Sequence, residues 1–341
     1  MDAAQLASLT DTLRNRKVVV VGDIVADEFV YGRVARVSRE APVLILEYDS
    51  TEIVPGGAGN AANNVAALGG RAILAAVVGR DVPGRRVVAA LHRRVDSRYL
   101  QRVAQAPTPV KTRILAGGIH SAKQQVVRID RGVARPVEPG VRQQFEKAAF
   151  EAAQRGDAVL VSDYGSGLIT PAFVSRLRRH LRSAGMPIPV LIDTRYGLLK
   201  YTGLTACTPN ESEVEQALGI TIDDNMRTLE RAGREILSRT RMEAVLITRG
   251  SRGMALFIRK GPTVHIPIYG TDSIVDVTGA GDTVVSTVAL ALAAGSSFEG
   301  AARLANFAGG LVVMKRGTAT VSWEELRAAV SERRGPSRLD K

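Results

Sequence analysis

The sequence predicts an α/β fold with a second, small β-sheet set apart from the main one. Short runs of valine, isoleucine and leucine alternate with stretches of helical periodicity along most of the 341 residues, as expected for strands connected by helices. The 33 glycines suit the many tight turns of such a fold, and the 4% aromatic content indicates an aliphatic core. Two pairs of charged, β-rich segments have no helix between them, and these define the small sheet.

The first elements are a helix and a buried strand. Near the N-terminus three leucines fall on one helical face with acids among them, so we expect a helix here and no signal peptide. The strand, 18–21, is expected to end at Gly22, with Asp23 and Asp27 in the loop beyond it. Open α/β sheets bind ligands past the carboxyl ends of their strands. Both acids are therefore candidate ligand-binding residues, although either one alone could be a turn or cap residue.

The small sheet is predicted from residues 28–48 and 108–130, and we interpret it as a lid over the site. Each range contains two β-rich pieces, and together they carry seven basic residues, including Lys111 and Arg113. Such a density of charge argues against deep burial. The alternative is that these strands extend the core sheet.

A glycine cluster opens the next helix. Gly56, Gly57 and Asn60 directly precede a helix predicted over 61–68. Glycine lets a polar ligand approach the backbone closely, and an asparagine amide can hydrogen-bond it. The same cluster could be only a tight turn.

The rest of the chain continues the alternation. Further strands are predicted at 72–78, 158–162, 189–192 and 244–248, and further helices at 84–95, 141–155, 171–184, 226–238, 298–309 and 323–330. Asp163 follows one of these strands, and Asn210 is a candidate helix cap. We found no repeat and no low-complexity linker, so residues 1–335 are predicted to form a single domain and residues 336–341 a flexible tail.

The stretch from Asp276 to Thr283 is the strongest candidate for chemistry. A strand is predicted over 273–277 and a helix over 284–294, so the backbone of Gly279, Ala280 and Gly281 would lie at a helix N-terminus, where free N–H groups and the helix dipole favour an anion. A carboxylate beside such an anion hole, here Asp282, suggests a general base that acts on a hydroxyl attacking a phosphoryl group. The alternative is that Asp282 only caps the helix.

Composition and missing motifs exclude several classes of protein. The net charge of +12 and the pI of 10.2 favour anionic partners, but no basic block interleaved with aromatics suggests a nucleic-acid site. The single cysteine, Cys207, fits a cytoplasmic protein without disulfides, and no apolar run is long enough to span a membrane. The chain has no Walker phosphate loop, and its four histidines lie far apart, which argues against a zinc site.

The chain resembles the ribokinase-like (PfkB) carbohydrate kinases from about Lys17 to about Val330. Both signatures of that family are present, in order: residues 56–62, Gly-Gly-Ala-Gly-Asn-Ala-Ala, and residues 276–282, Asp-Val-Thr-Gly-Ala-Gly-Asp. The resemblance implies a three-layer αβα sandwich with a small β-sheet lid. It also implies an ATP-dependent phosphotransferase with an alcohol acceptor.

Within the family the chain is most similar to the D-glycero-β-D-manno-heptose 7-phosphate kinases of ADP-heptose biosynthesis. The similarity lies in residues 37–43, in the second lid hairpin and in residues 162–164, Ser-Asp-Tyr. It implies transfer to the anomeric hydroxyl, giving the 1,7-bisphosphate. Ser166 and Arg195 depart from the usual pattern of these kinases, so another sugar, sugar phosphate or nucleoside stays open as substrate. A non-catalytic sugar-phosphate-binding protein is the less favoured alternative.

The resemblance assigns roles residue by residue. The catalytic residues are Asp282, Gly279, Ala280 and Gly281. Substrate contacts fall to Asp23, Asp27, Gly56, Gly57, Asn60, Lys111, Arg113, Asp163 and Arg195. The nucleotide side comprises Asn210, Glu213, Thr248, Gly250, Gly253 and Asn306. ATP and Mg²⁺ are expected as cofactors, with Glu213 reaching the metal through water and Asp276 beside a monovalent cation such as K⁺. The lid is expected to form a homodimer, since exposed sheet edges need cover.

Overall fold

A computed structural model of the chain describes residues 1, 3–104, 106–117, 123–132, 137–270 and 275–332. The helices of this part are α1 (Ala3–Thr12), α2 (Ala58–Ala67), α3 (Val82–Ala89), α4 (Pro139–Ala153), α5 (Pro171–Ser183), α6 (Glu211–Leu218), α7 (Met226–Thr240), α8 (Ala280–Ala293), α9 (Phe298–Val312) and α10 (Trp323–Glu332). The proposed tail, 336–341, lies outside the described residues.

The strands of the described residues form a core sheet and a lid sheet. They are β1 (Lys17–Val37), β2 (Leu44–Gly57), β3 (Arg71–Gly79), β4 (Val95–Asp96), β5 (Leu100–Val103), β6 (Val110–Gly117), β7 (Gln124–Arg131), β8 (Ala158–Asp163), β9 (Val190–Thr194), β10 (Ala206–Cys207), β11 (Ala244–Thr248), β12 (Met254–Ile258) and β13 (Thr263–Ile266). The core order is β13-β12-β11-β10-β9-β8-β1-β3-β4.

The core sheet lies between two layers of helices. It is parallel from β11 to β4, and β12 and β13 add an antiparallel edge. Alternate residues of β1 face opposite layers: Val18 and Val20 pack with α2, α8 and α9, whereas Val19 and Val21 pack with α4, α5 and α7. This three-layer arrangement is the fold class predicted, and its strands read as continuous aliphatic runs because both faces are buried.

One long strand joins the core sheet to the lid. Residues 17–23 of β1 pair with β3, and residues 24–37 of the same strand pair with β2. The predicted loop from Gly22 to Asp27 is therefore wrong, because hydrogen bonding passes from one sheet to the other without interruption. Glycine is needed at Gly22, where a Cβ atom would lie 2.1 Å from the carbonyl oxygen of Ser162. Asp23 and Asp27 are thus held on a strand and not on a flexible loop.

The lid sheet has the order β7-β6-β1-β2 and crosses the carboxyl end of the core sheet. Its first hairpin is β1 with β2, which extends past the predicted range 28–48 to Gly57, and its second is β6 with β7, close to the predicted range 108–130. The turn between β6 and β7 lies outside the described residues.

Two predicted elements differ from the structure. No strand covers residues 275–277, where the N–H groups of Val275 and Asp276 both donate to the carbonyl oxygen of Val313; residues 273 and 274 lie outside the described part. The helix predicted over 84–95 is the shorter α3, which begins earlier because Asp81 accepts a hydrogen bond from the N–H of Gly84. None of the helices that the structure describes is both long and apolar enough to cross a membrane.

Candidate active site

Asp282 lies at the head of α8 and is 4% exposed. Its Oδ2 accepts a hydrogen bond of 2.7 Å from the Asn60 amide, and its Oδ1 accepts one of 3.2 Å from the Tyr164 hydroxyl. Burial raises the pKa of the Asp282 carboxyl to about 7, and these two neutral donors offset part of that rise. A carboxylate with a pKa near neutrality is suited to accept a proton from a hydroxyl.

A chain of amides fixes the orientation of Asn60. The amide of Asn64 donates to the side-chain oxygen of Asn60 at 3.1 Å, and the hydroxyl of Thr283 donates to the side-chain oxygen of Asn64 at 2.8 Å. Because the oxygen of Asn60 is engaged, its NH₂ group must face Asp282. The glycine-rich helix start and the late motif, far apart in sequence, are joined by this network.

The glycines before Asp282 form a cradle at the start of α8. Gly279 has φ 78°, a left-handed conformation, and a Cβ atom there would lie 2.8 Å from the amide nitrogen of Asn60. Apart from the adjacent backbone of α8, no heavy atom of the described residues lies within 4 Å of the position a Cβ would take at Gly281. The N–H of Ala280 already donates to Val277, and the first helical bond is that from Thr283 to Gly279. The N–H groups at residues 281 and 282 precede that bond, as at any helix start.

The acids of β1 are bound by different partners. Asp23 accepts from the hydroxyl of Ser166 at 2.6 Å and from the N–H groups of Tyr164 and Ser166 at 2.9 and 3.3 Å. Burial raises its pKa to about 6 against the effect of these donors. Asp27 forms an ion pair of 2.6 Å with Arg113, and both side chains are nearly buried. Asp23 and Asp27 therefore have fixed orientations, and the charge of Asp27 acts on Asp282.

Two glycines leave room for the Asp27 carboxylate and for the backbone at Asp23. A Cβ atom on Gly56 would lie 2.4 Å from Oδ2 of Asp27, and one on Gly57 would lie 2.5 Å from the carbonyl oxygen of Asp23. Gly57 also has a positive φ of 57°. Both positions therefore require glycine on steric grounds, before any ligand is considered.

The carboxylate of Asp163 is occupied within the protein. Its Oδ2 accepts from the hydroxyls of Thr194 at 2.8 Å and Tyr201 at 2.6 Å, and its Oδ1 accepts from the N–H of Gly165 at 3.0 Å. These contacts hold the loop that carries Tyr164. The structure thus favours a loop-positioning role for Asp163 over the expected contact with substrate.

Two basic side chains converge on this region without an acidic partner. No carboxylate of the described residues lies within 4.0 Å of the charged groups of Lys111 or Arg195. Lys111 is 9% exposed and lies 4.8 Å from the centre of the Tyr164 ring. Burial, followed by the positive charge of Arg195, lowers the pKa of Lys111. Because Lys111 and Arg195 repel each other, an anion that binds between them would be stabilised by both positive charges.

The start of α6 closes the far side of the site. Asn210 and Glu213 form a capping box, in which each side chain accepts from the other's backbone N–H at 2.9 Å. Burial raises the pKa of Glu213. Thr248 pairs with Asn210 through a parallel bridge that places the end of β11 beside this helix.

The remaining residues expected on the nucleotide side shape two turns. Gly250 and Gly253 both have positive φ, and a Cβ on Gly253 would lie 2.1 Å from the carbonyl oxygen of Ile266, whereas Gly250 faces open space. The amide of Asn306 donates to the carbonyl oxygen of Pro267 at 2.9 Å.

Asp276 fastens the loop before the cradle. Its two oxygens accept from the N–H groups of Thr278 at 2.9 Å and Gly317 at 3.0 Å. No group of three or more histidine, cysteine or acidic side chains positioned for a metal occurs among the described residues.

Sequence reasoning missed two residues of the site. Tyr164 touches Asp282 and Lys111 at once, yet in the sequence it was only part of a Ser-Asp-Tyr match. Asp193, on β9, lies near enough to Asp282 and Glu213 that removal from water and their charges raise its pKa well above the usual range. Its position at the carboxyl end of a parallel strand was the available signal.

Comparisons with known proteins agree with this geometry. The sequence profile of the pfkB family carbohydrate kinases matches residues 15–326. "Bifunctional protein HldE" of Geobacter metallireducens is 40% identical over 328 residues, which cover 96% of this chain and 65% of that protein. The protein of the same name in Caulobacter vibrioides is 40% identical over 337 residues, which cover 98% and 67%. The chain thus spans about two thirds of the length of these curated relatives.

Solved structures show the same fold. Ribokinase of Arabidopsis thaliana, complexed with ribose and ATP, superposes with a TM-score of 0.72 at 21% identity and covers 93% of this chain and 99% of its own. Phosphofructokinase-2 of Escherichia coli, in complex with potassium, gives 0.71 at 16% identity with the same coverage. The predicted ribokinase-like fold is confirmed.

Proposed function

Since this chain belongs to the pfkB family of carbohydrate kinases, we propose that it transfers the γ-phosphate of ATP to the anomeric hydroxyl of D-glycero-β-D-manno-heptose 7-phosphate. The observation that carries the proposal is the buried carboxylate of Asp282, held by Asn60 and Tyr164 beside an open helix N-terminus. The resemblance of the lid and of the Ser-Asp-Tyr loop to heptose 7-phosphate kinases supports the choice of acceptor.

In this proposal Asp282 removes the proton of the attacking hydroxyl. The first-turn N–H groups at residues 281 and 282 and the dipole of α8 stabilise the phosphoryl group in transfer. Such a reaction depends mainly on alignment and charge stabilisation, and the fixed carboxylates of Asp23 and Asp27 would align the sugar hydroxyls. Arg113 acts by holding Asp27, because the two form a nearly buried ion pair.

Lys111 and Arg195 would bind the distal phosphate of the sugar. They are the two cations beside the site that lack a carboxylate within 4.0 Å among the described residues. An anion between them would remove their mutual repulsion, and an arginine can bind phosphate through two parallel hydrogen bonds. This pair favours a phosphorylated acceptor over a neutral sugar.

The nucleotide would lie across the start of α6 and the end of β11, near Asn210, Thr248, Gly250, Gly253 and Asn306. Mg²⁺ usually keeps several waters and binds proteins through one or two carboxylates. Glu213, with its capping bond to Asn210, fits such an outer position. When bound, the ion would neutralise charge on the ATP phosphates.

A monovalent cation, K⁺, is proposed beside Asp276. The carboxylate accepts one N–H at each oxygen, which leaves each oxygen with a further lone pair for a cation. The comparison with phosphofructokinase-2 in complex with potassium supports the choice of ion.

The lid is proposed to form a homodimer through its outer face. The strand registers place Val34 opposite Leu46 and Val127 opposite Ile114, and Ile129 lies two residues along β7 on the same face. Val34, Val127 and Ile129 are 39%, 48% and 47% exposed. Light scattering should report a dimer for this cytoplasmic enzyme, and Val127→Asp should dissociate it; a monomeric native chain would contradict this assembly.

The acceptor can be tested with a panel of sugars and sugar phosphates, scored by ADP release. We expect the highest kcat/KM with the heptose 7-phosphate. Lys111→Gln and Arg195→Gln should raise KM for phosphorylated acceptors at least about tenfold, as expected for loss of a charge-assisted contact, and should leave KM for neutral sugars unchanged. Arg36→Gln, at an exposed lid arginine, is the matched control.

Another outcome of the panel would support a different pfkB kinase. The hydroxyl and the N–H of Ser166 both donate to the carboxylate of Asp23. These contacts reduce the space for an acceptor on that side of the site. Preference for a sugar that lacks the distal phosphate would therefore replace the heptose assignment. Absence of turnover with every member would favour a binding protein without catalysis, which the intact Asp282 network disfavours.

A further inference from the structure

A second pocket lies at the opposite end of the core sheet from Asp282. It is formed at the amino ends of β1, β3 and β4, where Lys17 and Arg71 are the first residues of their strands. Its volume is 480 Å³, within the range of small-molecule sites. Lys17 and Asp23 are six residues apart on one strand, so the pocket lies about 20 Å from the proposed catalytic site.

The lining of this pocket is dominated by positive charge. Six of its side chains are cations and one is a carboxylate: Lys17, Arg71, Arg93, Arg94, Arg98 and Arg155, against Asp96. The carboxylate already forms an ion pair with Arg98, which donates to both of its oxygens. The pocket therefore has a formal excess of five positive charges, a large share of the +12 carried by the whole chain.

Four of these cations form no close ion pair within the described residues, although the charge of Arg155 still acts on Asp96 from a longer distance. No carboxylate of the described residues lies within 4.0 Å of the charged groups of Lys17, Arg71, Arg93 or Arg155. The carboxylate of Asp157, two residues after Arg155, accepts instead from the backbone N–H of Lys17 at 2.8 Å. Like charges gathered in a concave surface raise the local potential and attract anions. The lowered pKa of His92, caused by burial and then by Arg93 and Arg94, agrees with a positive field.

The shape and composition of the pocket indicate the kind of anion. Arginine binds phosphate oxygens through paired hydrogen bonds. The cations come from the starts of β1 and β3, from the segments on either side of β4 and from the residues after α4, so they can surround a ligand. None of the described residues that line the pocket is aromatic. Stacking of bases, which single-stranded nucleic acids need, is therefore not provided.

We propose that the pocket formed by Lys17, Arg71, Arg93 and Arg155 binds a small ligand with two or more adjacent phosphate groups. The site is separate from the phosphate cradle at Gly279–Gly281 and does not depend on the identity of the sugar acceptor.

Inorganic pyrophosphate is the probe for this site, in calorimetric titrations at constant ionic strength. Wild-type protein should show a binding component that Arg71→Gln/Arg155→Gln loses, with an affinity lowered at least about tenfold. The control Arg182→Gln/Arg227→Gln removes the same charge from exposed arginines elsewhere and should keep the component. Pyrophosphate that binds at the cradle contributes equally in all three proteins, so the test compares only the difference in binding between them.

Several results would overturn the proposal. Equal losses in the pocket and control variants would show a general effect of net charge. Sulfate binding as tightly as pyrophosphate would remove the requirement for adjacent phosphates. Loss of affinity for a 20-residue oligonucleotide but not for pyrophosphate would assign the surface to nucleic acid.

A measurement on the native chain covers the case in which the double variant fails to fold. Phenylglyoxal modifies accessible arginines, and mass spectrometry locates the products. Pyrophosphate should protect Arg71 and Arg93 while Arg182 continues to react. Equal reactivity of all three with and without pyrophosphate would contradict the site.

Discussion

The two ends of the core sheet carry opposite charges in different environments: buried acids at the carboxyl end and exposed cations at the amino end. At the carboxyl end, Asp282 and Asp23 are buried and accept hydrogen bonds from neutral groups, and their pKa values rise to about 7 and 6. At the amino end, Lys17, Arg71 and Arg93 are exposed to water. Desolvation changes what a single acid can do, whereas exposed cations act only through their summed field. We therefore expect single substitutions to matter at the first end and combined ones at the second.

The largest effect is expected from Asp282→Asn. The amide keeps the size of the side chain but cannot accept the proton, so kcat should fall about 10³-fold, a usual contribution of a general base. The affinity for ATP, measured by calorimetry, should change little. The value of kcat is measured by the rate of ADP release.

Asp163→Asn is the matched comparison for that substitution. Asp163 is also buried, but it binds Thr194 and Tyr201 and holds a loop. This change should lower the free energy of unfolding by about 1–3 kcal/mol, with a much smaller loss of kcat. Equal losses of kcat in both variants would refute the assignment of Asp282 as the base.

Asp282 should also make the folded chain less stable at high pH. The pKa of Asp282 is raised from 3.8 to about 7 in the folded state, so between these values the folded chain holds a proton that the unfolded chain releases. The stabilisation that the folded chain gains from this proton is fully present below pH 3.8 and is lost as pH rises through about 7. Asp282→Asn should therefore be more stable than the native chain at pH 8, by up to about 4 kcal/mol.

Urea unfolding at pH 4.5 and pH 8 measures this difference. The advantage of the variant should be small at the lower pH. Equal stability of the two proteins at pH 8 would mean that the carboxylate is not desolvated.

A smaller effect is expected from Tyr164→Phe. The ring that lies against Lys111 stays, and only the 3.2 Å hydrogen bond to Asp282 is lost. Such a bond contributes about 1 kcal/mol, so kcat should fall roughly fivefold. Because this bond lowers the pKa of Asp282, the rise of kcat with pH should move to higher pH in the variant. An unchanged pH profile would show that the hydroxyl does not act on the base.

The smallest effect is expected at the amino end. Arg71→Gln/Arg93→Gln relieves repulsion between exposed cations, which should raise the free energy of unfolding by no more than about 0.5 kcal/mol at low salt. The gain should vanish in 1 M salt, where charges are screened over about 3 Å. A destabilisation of several kcal/mol would show that these arginines support the fold and would end the contrast between the two ends.

The fold could be predicted from the sequence because it depends on local patterns, and the same kind of pattern indicated the proposed centre of the site. Aliphatic runs indicated strands, and glycine next to Asp282 indicated a helix start with an acid beside it. The path of β1 was not predictable in this way: Gly22 and two acids look like a loop, and only pairing with β3 up to Asp23 and with β2 from Ile24 onward keeps them in a strand. The roles of Asp163 and Tyr164 were missed for the same reason, since their partners are distant in sequence.

The continuity of β1 has a mechanical consequence. The lid sheet and the core sheet share strand β1, which carries Asp23 and Asp27, and no hinge loop separates the two sheets along this strand. A tilt of the lid toward or away from the sheet must rotate the backbone at these acids. If Asp23 and Asp27 align the sugar as proposed, binding of the sugar and exclusion of bulk water would be a single concerted motion, which would guard ATP against hydrolysis while the acceptor is missing.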